Sequence, residues 1–395
     1  MHRVQTGLLS IALGFTLMSS CARSASEEGS EGQSGRSIER LEAQRALASA
    51  EQGTQRAAPA SLAAEEASSA YVRRSCGVCY AHNWQSLGAD GYGSDTSAAS
   101  LQELVALGVT ALSYTDFGWM RSVRSTTIRS STSMPGAETM QRMRDDIAQA
   151  DTLGLMTMLK PHIWIGRGEW RGDIAPSGGD WTTWFASYRD FLIPRAEFAE
   201  SVGAEWFVIG VELVSATRGH DAEWRSLIAE VRSAYSGKLS YAANWDEVQH
   251  VAFWDALDAI GVQMFAPLVG PNEPATLETM TAGAQRWLTE YEGIAERENR
   301  PLILTEAGVL NRAEGARTPW VWPEAADTAA TAAGDAEQAL YYRAMVNTFG
   351  QSEHVEQIYW WKWFTNPATN EEGPVGFSPR GKPAEAVLRD ACALR

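Results

Sequence analysis

Residues 72–395 repeat one pattern: a short apolar run with no polar face, then a stretch whose apolar positions fall three and four apart. The first kind fits parallel strands buried on both faces, and the second fits helices laid over them. Strands are expected at Gly77–Ala81, Val109–Tyr114, Leu155–Leu159, Trp206–Val211, Leu239–Ala243, Ile260–Phe265 and Gln357–Phe364, with a seventh in order running from Leu302 to Glu306. Helices are expected at Leu101–Leu107, Met140–Leu153, Trp181–Val202 with a break at Pro194, Ala222–Tyr235, Thr276–Asn299, Asp335–Phe349 and Ala384–Ala393. Strands and helices in alternation over this length predict an α/β fold, a (β/α)8 barrel forming one domain over 72–395.

In such a barrel the C-terminal strand ends open at one mouth, where active sites sit. Trp206-Phe207-Val208-Ile209-Gly210-Val211 leads directly into Glu212, and Leu302-Ile303-Leu304-Thr305 into Glu306. Two apolar strands that each end in a glutamate are a candidate carboxylate pair, as cleavage of a glycosidic bond requires. Salt-bridged rim residues would give the same pattern.

Composition narrows the partners. A formal net charge of −16 makes nucleic acid a poor partner. Of the 16 tryptophans most must be core or interface, and Trp206, Trp224, Trp254 and Trp287, at helix or strand starts, read as core. Flat indole faces also stack on sugar rings, so a glycan-binding cleft would explain some of the rest. Before residue 72 the chain has a different character. Arg3 followed by the apolar stretch Gly7–Leu17 reads as a signal peptide, too short to span a bilayer. It ends at Met18-Ser19-Ser20-Cys21, which resembles a bacterial lipobox with Cys21 as the lipidated residue of an outer-membrane lipoprotein. Ordinary cleavage near Ala25 and full secretion is the alternative. Residues 22–71 are rich in Ser, Glu, Gly, Ala and Gln with hardly an aromatic, so a disordered tether is expected.

Six stretches fall in order on the predicted strand ends: Gly91-Tyr92-Gly93-Ser94; Leu159-Lys160-Pro161-His162 with Trp170-Arg171-Gly172; Ile209-Gly210-Val211-Glu212-Leu213; Ser240-Tyr241-Ala242-Ala243-Asn244-Trp245; Pro301 to Gly308; and Tyr359-Trp360-Trp361-Lys362-Trp363. Together they resemble glycoside hydrolase family 113 of clan A, retaining β-mannanases. The resemblance implies a mannan or glucomannan substrate, or manno-oligosaccharides, cut without a cofactor by a monomer. It also implies Glu212 as acid/base after strand four and Glu306 as nucleophile after strand seven. In a retaining enzyme their carboxyls should stand about 5–5.5 Å apart. Two positions depart from the clan pattern: Val211 stands where Asn often precedes the acid/base, and Phe265 where a Tyr often touches the nucleophile. Another β-glycosidase of the clan, or a glycan-binding lipoprotein without turnover, therefore remains an alternative.

Substrate contacts are expected from His82, Trp84, Lys160, His162, Trp170, Asn244, Trp361 and Trp363. Period-two alternation puts Trp361 and Trp363 on one face of strand eight, and Trp361 resembles the indole under the sugar being cleaved. His82 and His162 could equally be packed barrel-mouth histidines. No His-x-His or other compact spacing points to a metal site. Cys76 and Cys79 are too close along an extended strand to bond to each other. Cys76 should pair with Cys392, because a closing helix packs beside strand one, with Cys79–Cys392 as the near alternative.

Overall fold

The computed structural model describes residues 75–82, 90–130, 139–322, 331–368 and 372–393. The signal segment with Cys21, the tether and Trp84 lie outside the described residues. The strands, in chain order, are β1 (Ser75–Ala81), β2 (Ala111–Tyr114), β3 (Phe117–Met120), β4 (Arg129–Ser130), β5 (Met156–Leu159), β6 (His162–Ile165), β7 (Trp206–Val211), β8 (Lys238–Asn244), β9 (Ala259–Met264), β10 (Leu302–Ala307) and β11 (Val355–Phe364). Eight of them close into a parallel barrel in the order β1-β2-β5-β7-β8-β9-β10-β11, and β11 returns to pair with β1. The other three form a small sheet in the order β4-β3-β6, which the apolar pattern did not predict.

The helices are α1 (Asp95–Ala106), α2 (Met140–Thr152), α3 (Trp181–Ser201), α4 (Val214–Thr217), α5 (Asp221–Ala234), α6 (Leu277–Glu298), α7 (Ala332–Asn347) and α8 (Pro383–Ala393). α1 starts well before Leu101 because Ser94 caps it, its hydroxyl accepting from the Ser97 amide at 3.1 Å. α3 runs unbroken through Pro194, contrary to the expected break. Proline removes one backbone hydrogen bond there, but Phe191, Leu192, Arg195 and Ala196 are buried around it and hold the helix. Cys76 and Cys392 are joined by a disulfide with Cα atoms 5.5 Å apart, tying α8 to the start of β1.

Inside the barrel, Met158, Trp206, Val208, Ala242, Ile303 and Tyr359 form a packed cluster, while Phe207, Ile209, Leu302 and Leu304 point outward into the helix layer. That alternation breaks near the mouth on three strands. Val208 and Val211 of β7 pair with Ser240 and Ala242 of β8, so β7 carries one extra residue. Leu304 and Glu306 of β10 pair with Val262 and Gln263 of β9, again with one extra. Trp360 and Trp363 of β11 pair with Val78 and Tyr80 of β1, a third bulge, in which the Trp361–Lys362 peptide is cis. A bulge re-aims every side chain beyond it, and these three lie beside Glu212, Glu306 and Trp361.

Candidate active site

Glu306 leaves β10 just past its bulge and is almost wholly buried. The bulge also turns the Thr305 carbonyl inward, where Lys160 Nζ donates to it at 3.0 Å. The same ammonium forms a close ion pair with Glu306 Oε1, and Lys160 is fully buried. Cys79, the free cysteine of the barrel, lies beneath: its thiol donates to the Thr305 carbonyl at 3.4 Å, and Lys160 Nζ stands 3.5 Å from Sγ. Burial pushes the Cys79 thiol up to about 12, so the sulfur is protonated and neutral. Lys160 is thus placed under the glutamate, not facing a sugar.

His162 opens β6 and stands with Nε2 3.5 Å from Glu306 Oε1. Burial first, then the charges of Arg171 and Lys160, hold its pKa well below the usual histidine range. The ring is therefore neutral. Arg171 Nη1 lies 3.0 Å from Nδ1 and can only donate, so Nδ1 accepts and Nε2 carries the proton toward Glu306.

Glu212 follows β7 with φ 51°, a left-handed conformation that a side chain disfavours. Two hydrogen bonds hold the turn: the Glu212 amide donates to the Ala242 carbonyl at 2.9 Å, and the Leu213 amide donates to Tyr241 Oη at 2.7 Å. Tyr241 Oη in turn donates to Glu247 Oε1 at 3.0 Å, as does Thr217 Oγ1 at 2.7 Å. Burial raises the Glu247 carboxyl to about 7 despite these donors. Trp170 Nε1 donates to Glu212 Oε2 at 3.4 Å, and Arg171 Nη1 lies 3.9 Å from the same oxygen. Burial raises the Glu212 pKa, the Arg171 charge opposes it, and the Glu306 charge adds to the rise. Gly172 is required beside Trp170, because a Cβ there would come within 2.4 Å of the indole. Its carbonyl accepts from Ser215 Oγ at 2.7 Å, locking the Trp170 loop to α4.

Glu306, His162, Arg171 and Glu212 thus form a continuous chain of contacts across the mouth. Trp361 joins it, its ring parallel to His162 within 6° at a centroid distance of 6.5 Å. Trp363 does not. The bulge in β11 puts it on the outer face, where Nε1 donates to Ser100 Oγ at 3.1 Å and Arg380 covers the ring. Its expected place beside Trp361 is corrected accordingly. Asn244 sits at the end of β8 and donates to Asp246 Oδ1 at 2.7 Å. His82 is buried against Gly91, where a Cβ would come within 1.9 Å of its Nδ1, and its ring lies 5.8 Å from Tyr92. Val211 is buried inside the barrel, and Phe265 packs on Phe377 at 5.9 Å. Among the described residues no group of three or more His, Cys, Asp or Glu is placed to share a metal ion.

Sequence reading missed Arg171, Tyr241 and Glu247. Arg171 and Tyr241 lie inside quoted motifs, so adjacency to Trp170 and to the end of β8 was a usable signal.

No curated protein sequence matches the chain. Three solved structures are similar to it. A GH113 β-mannanase from Alicyclobacillus acidocaldarius in complex with ManMIm is 26% identical, with a TM-score of 0.69 over 81% of this chain and 97% of that one. A second GH113 β-1,4-mannanase is 26% identical with a TM-score of 0.67 over 81% of this chain and 100% of that one. A complex of a GH113 β-1,4-mannanase is 24% identical, with a TM-score of 0.69 over 82% of this chain and 100% of that one. The sequence profile of Glycoside Hydrolase Family 113 matches residues 81–381, and the chain belongs to that family of glycoside hydrolases.

Proposed function

We propose that this glycoside hydrolase cleaves β-1,4-mannosidic linkages with retention, Glu306 acting as nucleophile and Glu212 as acid/base. The observation that carries the reading is the opposite electrostatic setting of two glutamates linked across one mouth. Glu306 is ion-paired with Lys160, and both Lys160 and His162 address Oε1, so Oε2 is the oxygen free to attack the anomeric carbon. Glu212 has its proton favoured by burial and by the Glu306 charge. It can therefore protonate the leaving oxygen. Once the glycosyl–enzyme bond forms, the Glu306 charge is gone and its upward push on Glu212 vanishes. Glu212 then becomes the better base for the incoming water. Trp361, parallel to His162, would floor the sugar being cleaved.

The test is twofold. Proton NMR of the first product should show the β-anomer before mutarotation, and a 2-deoxy-2-fluoro mannoside should label the peptide containing Glu306. Initial release of the α-anomer would overturn retention. A β-glucan-active enzyme with the same mechanism is the second reading, favoured by Val211 and Phe265, which offer no polar group at positions where a sugar hydroxyl could be read. Rates on mannan, glucomannan and cello-oligosaccharides separate the two. The signal segment and Cys21 support a cell-surface location for this activity.

A further inference from the structure

Glu247 lies just past β8 and is fully buried, where its carboxylate meets three donors rather than a cation. The Asn244 amide donates to Oε2 at 3.1 Å. Tyr241 Oη at 3.0 Å and Thr217 Oγ1 at 2.7 Å both donate to Oε1. The Glu247 amide closes the turn by donating to the Asn244 carbonyl at 2.8 Å. A buried carboxyl is costly unless its acceptors are used, and here both oxygens are.

Two routes lead from this carboxylate to Glu212. The first reaches its backbone. Tyr241 Oη accepts from the Leu213 amide at 2.7 Å, and an amide can only donate, so the tyrosine proton is left for Glu247. Glu247 thereby fixes the hydroxyl that holds the left-handed turn at Glu212. The second route reaches the Glu212 carboxyl. Thr217 is the last residue of α4, and Ser215 of the same short helix donates to the Gly172 carbonyl at 2.7 Å. Gly172 lies so close to the Trp170 indole that a Cβ would come within 2.4 Å of it, and Trp170 Nε1 donates to Glu212 Oε2 at 3.4 Å.

We infer that Glu247 is a positioning residue for the acid/base, holding the Glu212 backbone through Tyr241 and the Glu212 carboxyl through α4 and Trp170. The inference rests on the reading of Glu212 as acid/base and adds what keeps it aimed. A carboxylate suits the place because all three partners donate. An amide at 247 would set its NH2 group against either the Asn244 amide or the two hydroxyls, so glutamine keeps the volume and loses the network.

Misalignment of an acid is felt only where the leaving group needs a proton. The experiment therefore compares kcat/KM on mannotetraose with that on 2,4-dinitrophenyl β-mannobioside, whose phenolate departs unprotonated. Glu247→Gln should lose about thirtyfold on the tetraose and about twofold or less on the aryl substrate. Thr217→Val, a milder change that cuts only the second route, should show the same selectivity with a loss of about threefold. Glu212→Ala run in parallel tests the underlying reading. If it loses both substrates equally, the acid/base reading falls, and amide hydrogen exchange over residues 212–217 then decides whether Glu247 holds the turn. Faster exchange there in Glu247→Gln, with residues 206–209 unchanged, supports the inference. Equal losses on the two substrates in Glu247→Gln and Thr217→Val while Glu212→Ala is selective, or unchanged exchange over 212–217, overturn it.

Discussion

Lys160 and Glu306 form an ion pair with side-chain exposures of 0% and 5%, so neither charge has water to fall back on. Removing one partner of such a pair strands the other charge in a low-dielectric site. Glu306→Ala is therefore expected to abolish turnover and also to destabilise the fold by about 3–5 kcal/mol. Combining it with Lys160→Met should restore most of that stability while activity stays absent. Urea unfolding of both proteins checks this. Equal stability in the single and double variants would mean that the pair does not carry the site.

Arg171 holds down the pKa that burial and the Glu306 charge raise at Glu212. Loss of the Glu212 proton should end activity on the alkaline side. Arg171→Leu removes the one nearby guanidinium that favours the carboxylate, so the folded pKa rises and the alkaline limb of kcat/KM moves to higher pH. A pH–rate profile of the two proteins measures the shift. An alkaline limb that stays put or moves to lower pH would show that a different group sets it.

Much of this arrangement could be read in the sequence, for specific reasons. Glu212 and Glu306 each follow an unbroken apolar strand, and tertiary packing left that signal intact. Trp206, Trp224, Trp254 and Trp287, read as core, are all buried. Trp363 was misplaced because period two holds only without a bulge, and one extra residue between Trp360 and Trp363 reverses the face. The contact of Lys160 with Glu306 spans 146 residues, and no local pattern encodes it. The small sheet was missed because β3 and β6 have four residues each and β4 has two, too short for a period to register.

Tyr241 acts on Glu212 without touching it. Its hydroxyl is the acceptor for the Leu213 amide, and the left-handed turn at Glu212 depends on that bond and the one to Ala242. Tyr241→Phe leaves the amide buried without its partner, which costs about 1–3 kcal/mol. Some of that cost should appear as relaxation of the turn, misaligning the carboxyl. The expected outcome is a folded protein with kcat down by about tenfold and KM little changed, because the lost alignment matters only in the transition state. A variant with full kcat and only a lower melting temperature would show that Tyr241 serves stability alone.

The Cys76–Cys392 bond closes a loop with a sequence separation of 316 residues. In the chain-entropy account a loop of that length removes about 5–6 kcal/mol of freedom from the unfolded chain, an upper figure because real unfolded chains are compact. Cys76 is the second residue of β1, so the bond lies at the barrel end opposite the catalytic mouth. Stability and catalysis should separate accordingly. Cys76→Ala with Cys392→Ala is expected to lower the melting temperature by several degrees while leaving kcat and KM unchanged at 25 °C. Gly108 offers an independent handle, since its φ of 83° disfavours any side chain and a Cβ there would stand 3.2 Å from Cys392 Cβ. Gly108→Ala should therefore lower the melting temperature too, and by less in the background without the disulfide, where α8 is no longer pinned. Thermal scans of the four proteins with rates at one temperature decide it. A disulfide-free protein that melts with the wild type, or one that melts early and also loses kcat, would refute a purely structural clasp.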